Sequence, residues 1–390
     1  MLNTIKQEDR VINAKLWGMK LHLYMSSMQK RGKLIVPLCL FLLCPFASLP
    51  ANILQDCDAA DLLSVQSYRN QNLEDYPRLK SRLTRSFTVP GLAAGFVPQG
   101  IAFLPNSSHV ILSGYLADTK HAVVILVDST TGIPERVGRL FSGDSPKMRH
   151  AGGIAVTGDH FWIPGNTVLL RFPIAGLVES NAPPCIQIDV DRIVDGIGSR
   201  GSHLSSWGNH LIVGDFGRSR AQRSHAHHPI PHHRSPENRR LHFRSLVFSM
   251  DQETNLPKST SRPCLILHHD EHVQGIAFAE NGLVLLSRSW GDRPSCIDIH
   301  HISVDAGIIK SATLSPYTAN TDDDYLIPSV TLSGSNLIDT FYGPPGSEGI
   351  IITGNTVMTV FEGGAYDYRL RWKTIEDRVL VFVIEHDVDD

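Results

Sequence analysis

The chain has 390 residues, of which 42% are hydrophobic and 19% charged, enough apolar material to bury one large core or two ordinary ones. Lys and Arg number 36 against 39 Asp and Glu, a formal net charge of -3, so no global field draws the chain onto nucleic acid or an anionic membrane.

At the N-terminus, Leu34 to Phe46 is the one long apolar run; its 13 residues include Pro37 and Pro45 and fall short of a bilayer-spanning helix. Lys30, Arg31 and Lys33 precede it and the small residues of Ala47 to Ala51 follow, the layout of a signal peptide. This predicts export to the periplasm or medium, with Met28 as the natural start and no membrane span in the mature chain. An uncleaved anchor is the alternative. The organisation expected is an over-extended N-terminus plus signal over 1–51, a lead-in over 52–81 and one domain over 82–390. Cys57, Cys185, Cys264 and Cys296 remain in the mature part, and an even four suits an oxidising compartment, with one or two disulfides or four free thiols.

From residue 82 onward, short β-branched runs alternate with Gly, Asn, Asp and Pro turns, and little has helical period. A short strand, a tight polar turn and a longer strand recur five times, at 100–115, 153–166, 203–216, 275–290 and 349–364. The reference glycine, or His203 in its place, falls at 100, 153, 203, 275 and 349, spacings of 53, 50, 72 and 74 residues. Blade-type repeats run to about 40–50 residues, and the third spacing is lengthened by a His- and Pro-rich insertion over 218–242, read as a disordered excursion. The prediction is an all-β, five-bladed β-propeller. Its last blade lacks a fourth strand, and the spare strand 82–89 closes the ring by pairing there. Six blades is the alternative count, with the extra one in the fourth spacing. Outer strands are expected in CIQIDVD for the second blade and IPSVTL for the fourth.

Strand direction then selects a face. Loops entering the first strand and leaving the second lie together around the channel mouth. The entry positions are Gln99, Gly152, Ser202, Gln274 and Glu348, joined by His150, His203 and His272. The side chains of Gln99, Ser202, Gln274 and Glu348 form an oxygen-rich ring fit for Ca²⁺ or another divalent cation, or a wet channel lining whose polar groups satisfy one another. His150 and His272 are the candidate general bases. Tyr115, Asp215, Arg288, Trp290, Glu362 and Tyr366 occupy the rim as candidate ligand contacts.

The stretches Val97 to Ala102, His150 to Val156, Glu348 to Ile350 and Phe361 to Tyr366 together resemble a group of uncharacterised secreted bacterial β-propeller proteins. More distantly, the pattern is similar to the gluconolactonase and strictosidine-synthase-like propellers. There a Glu-Gly-Ile entry places a metal-binding Glu at the channel mouth, and Glu348 is the residue here that matches. Two functions follow as expectations. One is an exported propeller binding a small molecule, glycan or protein at its mouth, with any axial ion structural. The other is a metal-dependent hydrolase, lactonase- or esterase-like or acting on phosphoesters, using Glu348 and a His base.

Overall fold

The structure, a computed structural model, describes residues 59–70, 73–141, 151–165, 168–197, 199, 201–217, 243–260, 262–305, 308–309, 315–318 and 326–384. The insertion 218–242, His150 and Cys57 lie outside the described residues, as does the signal-like segment. Two short helices, α1 (Ala59–Leu62) and α2 (Pro77–Arg82), precede the strands.

The strands follow in chain order. After β1 (Leu83–Thr88), the first blade is β2 (Phe96–Phe103), β3 (His109–Leu116), β4 (Ala122–Asp128) and β5 (Pro134–Phe141). The second has β6 (Ala155–Thr157), β7 (His160–Gly165) and β8 (Val168–Pro173); α3 (Ala175–Val178), β9 (Cys185–Asp189) and β10 (Arg192–Val194) follow. The third is β11 (His203–Trp207), β12 (His210–Gly214), β13 (Phe243–Ser249) and β14 (Leu265–His269). In the fourth, β15 (Val273–Phe278), β16 (Leu283–Arg288) and β17 (Ser295–His301) lead through β18 (Val304–Asp305), β19 (Ile308–Ile309), β20 (Ser315–Thr318) and β21 (Leu326–Thr331) to β22 (Leu337–Gly343). The fifth is β23 (Ser347–Thr353) and β24 (Thr356–Phe361), then α4 (Tyr366–Arg369) and β25 (Arg378–Val383).

The predicted closure is present. Strand β1 pairs antiparallel with β25, so the fifth sheet runs β1-β25-β24-β23 and takes its outer strand from the start of the domain. Two outer strands differ from expectation. CIQID splits from the residues after it: β9 lies parallel on β5 of the first blade, and the short β10 completes the second. Likewise β21, from IPSVTL, lies parallel on β14 of the third blade, while β22 completes the fourth. Pro328 has no N–H to donate, which suits it to a strand beyond the regular four. The fourth spacing therefore holds an extension of the third blade rather than a sixth.

Burial explains the ring. In a strand, side chains alternate between faces, and in a propeller each face meets a different neighbour. Val123, Ile125 and Val127 of β4 pack with Met358 and Val381 of the fifth blade, whereas Val124 and Leu126 pack with Phe161 and Ile163 of the second. Three more cores fill the seams between blades two and three, three and four, and four and five. Both faces being buried, the strands read as continuous apolar runs such as AVVILV rather than as alternating ones.

At the axis the seams narrow to backbone. A Cβ on Gly100 would lie 2.8 Å from Gly153 Cα, one on Gly349 would lie 2.7 Å from Gly100 Cα, and one on Gly275 would lie 2.7 Å from the Glu348 carbonyl oxygen. A Cβ on Gly153 would lie 2.5 Å from the Leu204 amide nitrogen. Innermost strands thus touch main chain to main chain, and the repeated glycine is a packing requirement. Gly349→Ala is expected to destabilise the fold by about 2–4 kcal/mol, because the new methyl meets rigid backbone. Gly334→Ala, where nothing lies within 4 Å of the added carbon, is expected to stay near neutral in the same denaturant titration.

A buried carboxyl pair at the channel mouth

The mouth-face ends of the inner strands bring two carboxyl groups together. Glu348 enters β23, and Glu362 follows the end of β24 in the same blade; they are 2% and 9% exposed. Their side chains hydrogen-bond to each other. Gln274 Nε2 donates to Glu348 Oε1 at 2.9 Å, and Gln99 Nε2 donates to Glu362 Oε2 at 3.1 Å and to the Pro98 carbonyl at 2.9 Å. The Tyr368 hydroxyl bonds to Glu362, and Tyr115 bonds to Tyr368. Blades one, four and five therefore converge on one polar network.

Electrostatics couples the two groups. Burial raises the pKa of both carboxyls, and for Glu348 the neighbouring charge of Glu362 and the hydrogen bond between them raise it further. Bonds from Tyr368, Gln99 and Glu348 act in the opposite sense on Glu362. Burial and mutual repulsion act on both carboxyls, so they titrate as one unit. Two like charges this close and this buried do not both ionise, so the pair holds one proton. Burial and the same charges push Tyr115 up to about 12 and Tyr368 higher still, so both remain hydroxyl donors.

The predicted site residues sort into separate groups. Gln99, Gln274, Glu348, Glu362 and Tyr115 share the network just described, and Ser202 does not: its backbone N–H donates to Gly214 O, and no side-chain bond joins it to the pair. His272 adopts a left-handed backbone (φ 69°) and stacks on Trp290 at 5.6 Å, with Phe216 5.8 Å from the indole. Burial lowers its pKa. Arg288 is held by Asp298 at 2.7 Å and Asp270 at 3.4 Å, and Asp215 accepts from Ser199 Oγ at 2.8 Å. Tyr366 is 51% exposed beneath the Arg369 guanidinium.

His203, which replaces the waist glycine in the third blade, points along its own sheet. Its imidazole lies over Gly214, bonds to Ser245 Oγ at 2.9 Å, and through it meets His269 Nε2 at 3.0 Å. Burial, then His269, pushes its pKa down to about 3, so it is a neutral core histidine. Two contributors were missed in the sequence, Tyr368 and Phe216. Tyr368 gives no local signal, since a short helix after the Gly363-Gly364 pair delivers it; Phe216 was visible only as the last residue of its repeat.

Among the described residues, the one group of three metal-ligating side chains within 4.8 Å of one another is His109, Asp128 and Glu135, at the turn end of the first blade and apart from the predicted axial ring. Cys185, Cys264 and Cys296 are free thiols, which removes any disulfide among these three. No described helix is long and apolar enough to cross a membrane.

No protein-family model matches the sequence, and neither does any curated protein. Among solved structures, the chain is similar to the PQQ-bound form of an aldose sugar dehydrogenase from Streptomyces coelicolor, at 15% identity and TM-score 0.43, covering 78% of this chain and 98% of that one. A glucose dehydrogenase-type oxidoreductase from Thermus thermophilus aligns at 12% identity and TM-score 0.37, covering 74% and 96%. BamB from Moraxella catarrhalis aligns at 9% identity and 0.30, covering 74% and 85%. Similarity at this level transfers no function to the chain.

The raised carboxyl pKa values give a signed prediction. A folded state that keeps a proton the unfolded chain releases is most stable below the usual carboxyl range, and it loses that stability as pH rises through the folded value. Thermal midpoints of the wild type are expected to fall between pH 5 and 8 by a few degrees. Glu362→Gln, which retains hydrogen bonding without a charge, is expected to flatten that slope.

Proposed function

We propose that the protein is an exported binding propeller whose mouth face takes a small polar ligand over the Glu348–Glu362 pair. One observation carries this reading: two carboxyls are buried against each other at a channel mouth, where folding alone favours apolar or singly paired groups. The arrangement offers a ligand one anionic acceptor and one acidic proton within a fixed frame of amide and phenol donors. A hydroxyl-rich molecule bonds to both; a divalent cation or an ammonium group takes the place of the shared proton. Beside it, the His272–Trp290 stack supplies an aromatic surface next to Gln274, with Trp290 38% exposed. Export rests on the basic, apolar and small-residue layout of residues 30–51.

The hydrolytic reading is not adopted. Among the described residues no imidazole bonds to either carboxyl, and His272 is engaged with Trp290.

The test is a thermal-shift panel of Ca²⁺, Mg²⁺, neutral monosaccharides and small amines at pH 6 and pH 8, with hits measured by calorimetry on wild type and Glu362→Gln. A cation is expected to bind about tenfold more tightly at pH 8 than at pH 6, as the displaced proton requires. A neutral sugar is expected to lack that dependence, and either ligand to lose about tenfold or more in the variant. A panel without a hit, or hits indifferent to Glu362→Gln, sinks the proposal.

A further inference from the structure

The opposite end of the axis carries a second concavity. Below the glycine waist, the innermost strands splay apart around a cavity of about 790 Å³, lined by residues of all five blades. Volumes of roughly 300–1,000 Å³ are typical of small-molecule pockets. Ala102, Ile154, Val156, Ala277 and Ile351 make its apolar part, and Ser205, Ser206, Asn281, Thr353 and Asn355 give the rest of the lining a comparable polar share. Higher on the wall, Trp207 is half-buried and stacks both on Phe278 at 5.3 Å and on His210 at 5.5 Å, and half-buried Phe103 adds a further ring to the lining. Glu280, exposed on the turn of the fourth blade, is the one ionisable side chain in the lining, and no Lys or Arg accompanies it. At the rim, Gly208 and Gly354 have nothing within 4 Å of where a Cβ would sit, so the approach is open.

We infer that this funnel is a binding site for a small amphipathic organic cation, an amine or quaternary ammonium on an apolar body, entering apolar end first. The chemistry selects the class. The apolar part of the lining rewards removal of hydrocarbon from water, its aromatic side chains attract a weakly hydrated cation, and a lone carboxylate with no opposing base favours positive over negative charge. Nucleotides, phosphates and carboxylates meet no basic side chain in the lining. The site is independent of the mouth, because the touching backbones of the waist lie between them.

The probes are benzyltrimethylammonium, benzyl alcohol and benzoate, titrated by calorimetry into the full chain. The cation is expected to bind about tenfold more tightly than the alcohol, and benzoate not to bind up to 10 mM, on the order expected from one cation–π contact plus one carboxylate. Glu280→Gln, an exposed substitution, is expected to bring cation and alcohol within about threefold of each other. Ser206→Trp, filling the lumen from the third blade, is expected to abolish binding of both, while Gly334→Ala, outside the lining, leaves it unchanged. Circular dichroism and thermal midpoints establish that each variant is folded. Absence of cation binding up to 10 mM, benzoate binding as well as the cation, or full binding by folded Ser206→Trp would overturn the assignment.

Discussion

Five innermost strands meet at the axis with no room for a side chain at most of their seams, and much of the architecture answers to that contact. Because Gly100, Gly153, Gly275 and Gly349 let backbones touch, the blades come close enough for their β-branched faces to interlock in five separate cores. Close approach also divides the axis. Residues just before the waist, among them Gln99, Gln274 and Glu348, face one another at the mouth; residues just after it, such as Ala102 and Ala277, floor the funnel at the other end. In the third blade the glycine is replaced by His203, and the position is accommodated because the imidazole turns along the sheet over Gly214.

Crowding at the mouth accounts for the chemistry there. The same convergence that packs glycine on glycine drives Glu348 and Glu362 out of water and into contact, and a proton resolves the conflict at less cost than two desolvated charges. Gln99 and Gln274 then each hold one of the two carboxyls with an amide donor. The result is a polar centre whose charge state is set by its burial and by the pairing of its two carboxyls.

Much of this was legible in the sequence because it repeats. The x-Gly spacing gave five blades, and the missing strand after Val383 together with the spare strand at 82–89 gave the closure. Direction of the strands placed Gln99, Gln274, Glu348 and Glu362 on one face. What the sequence hid is three-dimensional pairing: that Glu348 faces Glu362, that Tyr368 reaches back from a helix, and that Ser202 stays out. The outer strands are ambiguous for a related reason. CIQID and IPSVTL carry the composition of any outer strand, and nothing local states which of two neighbouring sheet edges receives them. The funnel has no local signature, because its lining, rich in Ala, Ile, Ser and Gly, comes together only when all five blades are assembled.

Those outer strands bear on how the molecule comes apart. At the second and fourth blades the chain steps backward before going on: β9 and β21 add to the preceding sheet, and only then do β10 and β22 finish their own. A blade whose rim belongs to the next segment of chain is not an independent cooperative unit, in contrast to a linear array where each repeat leans only on its neighbours. Peeling the second blade exposes the edge of the first, and freeing the fourth strips the third. With the fifth already tied to the beginning of the domain through β1, loss of order at any of these points propagates around the whole circle.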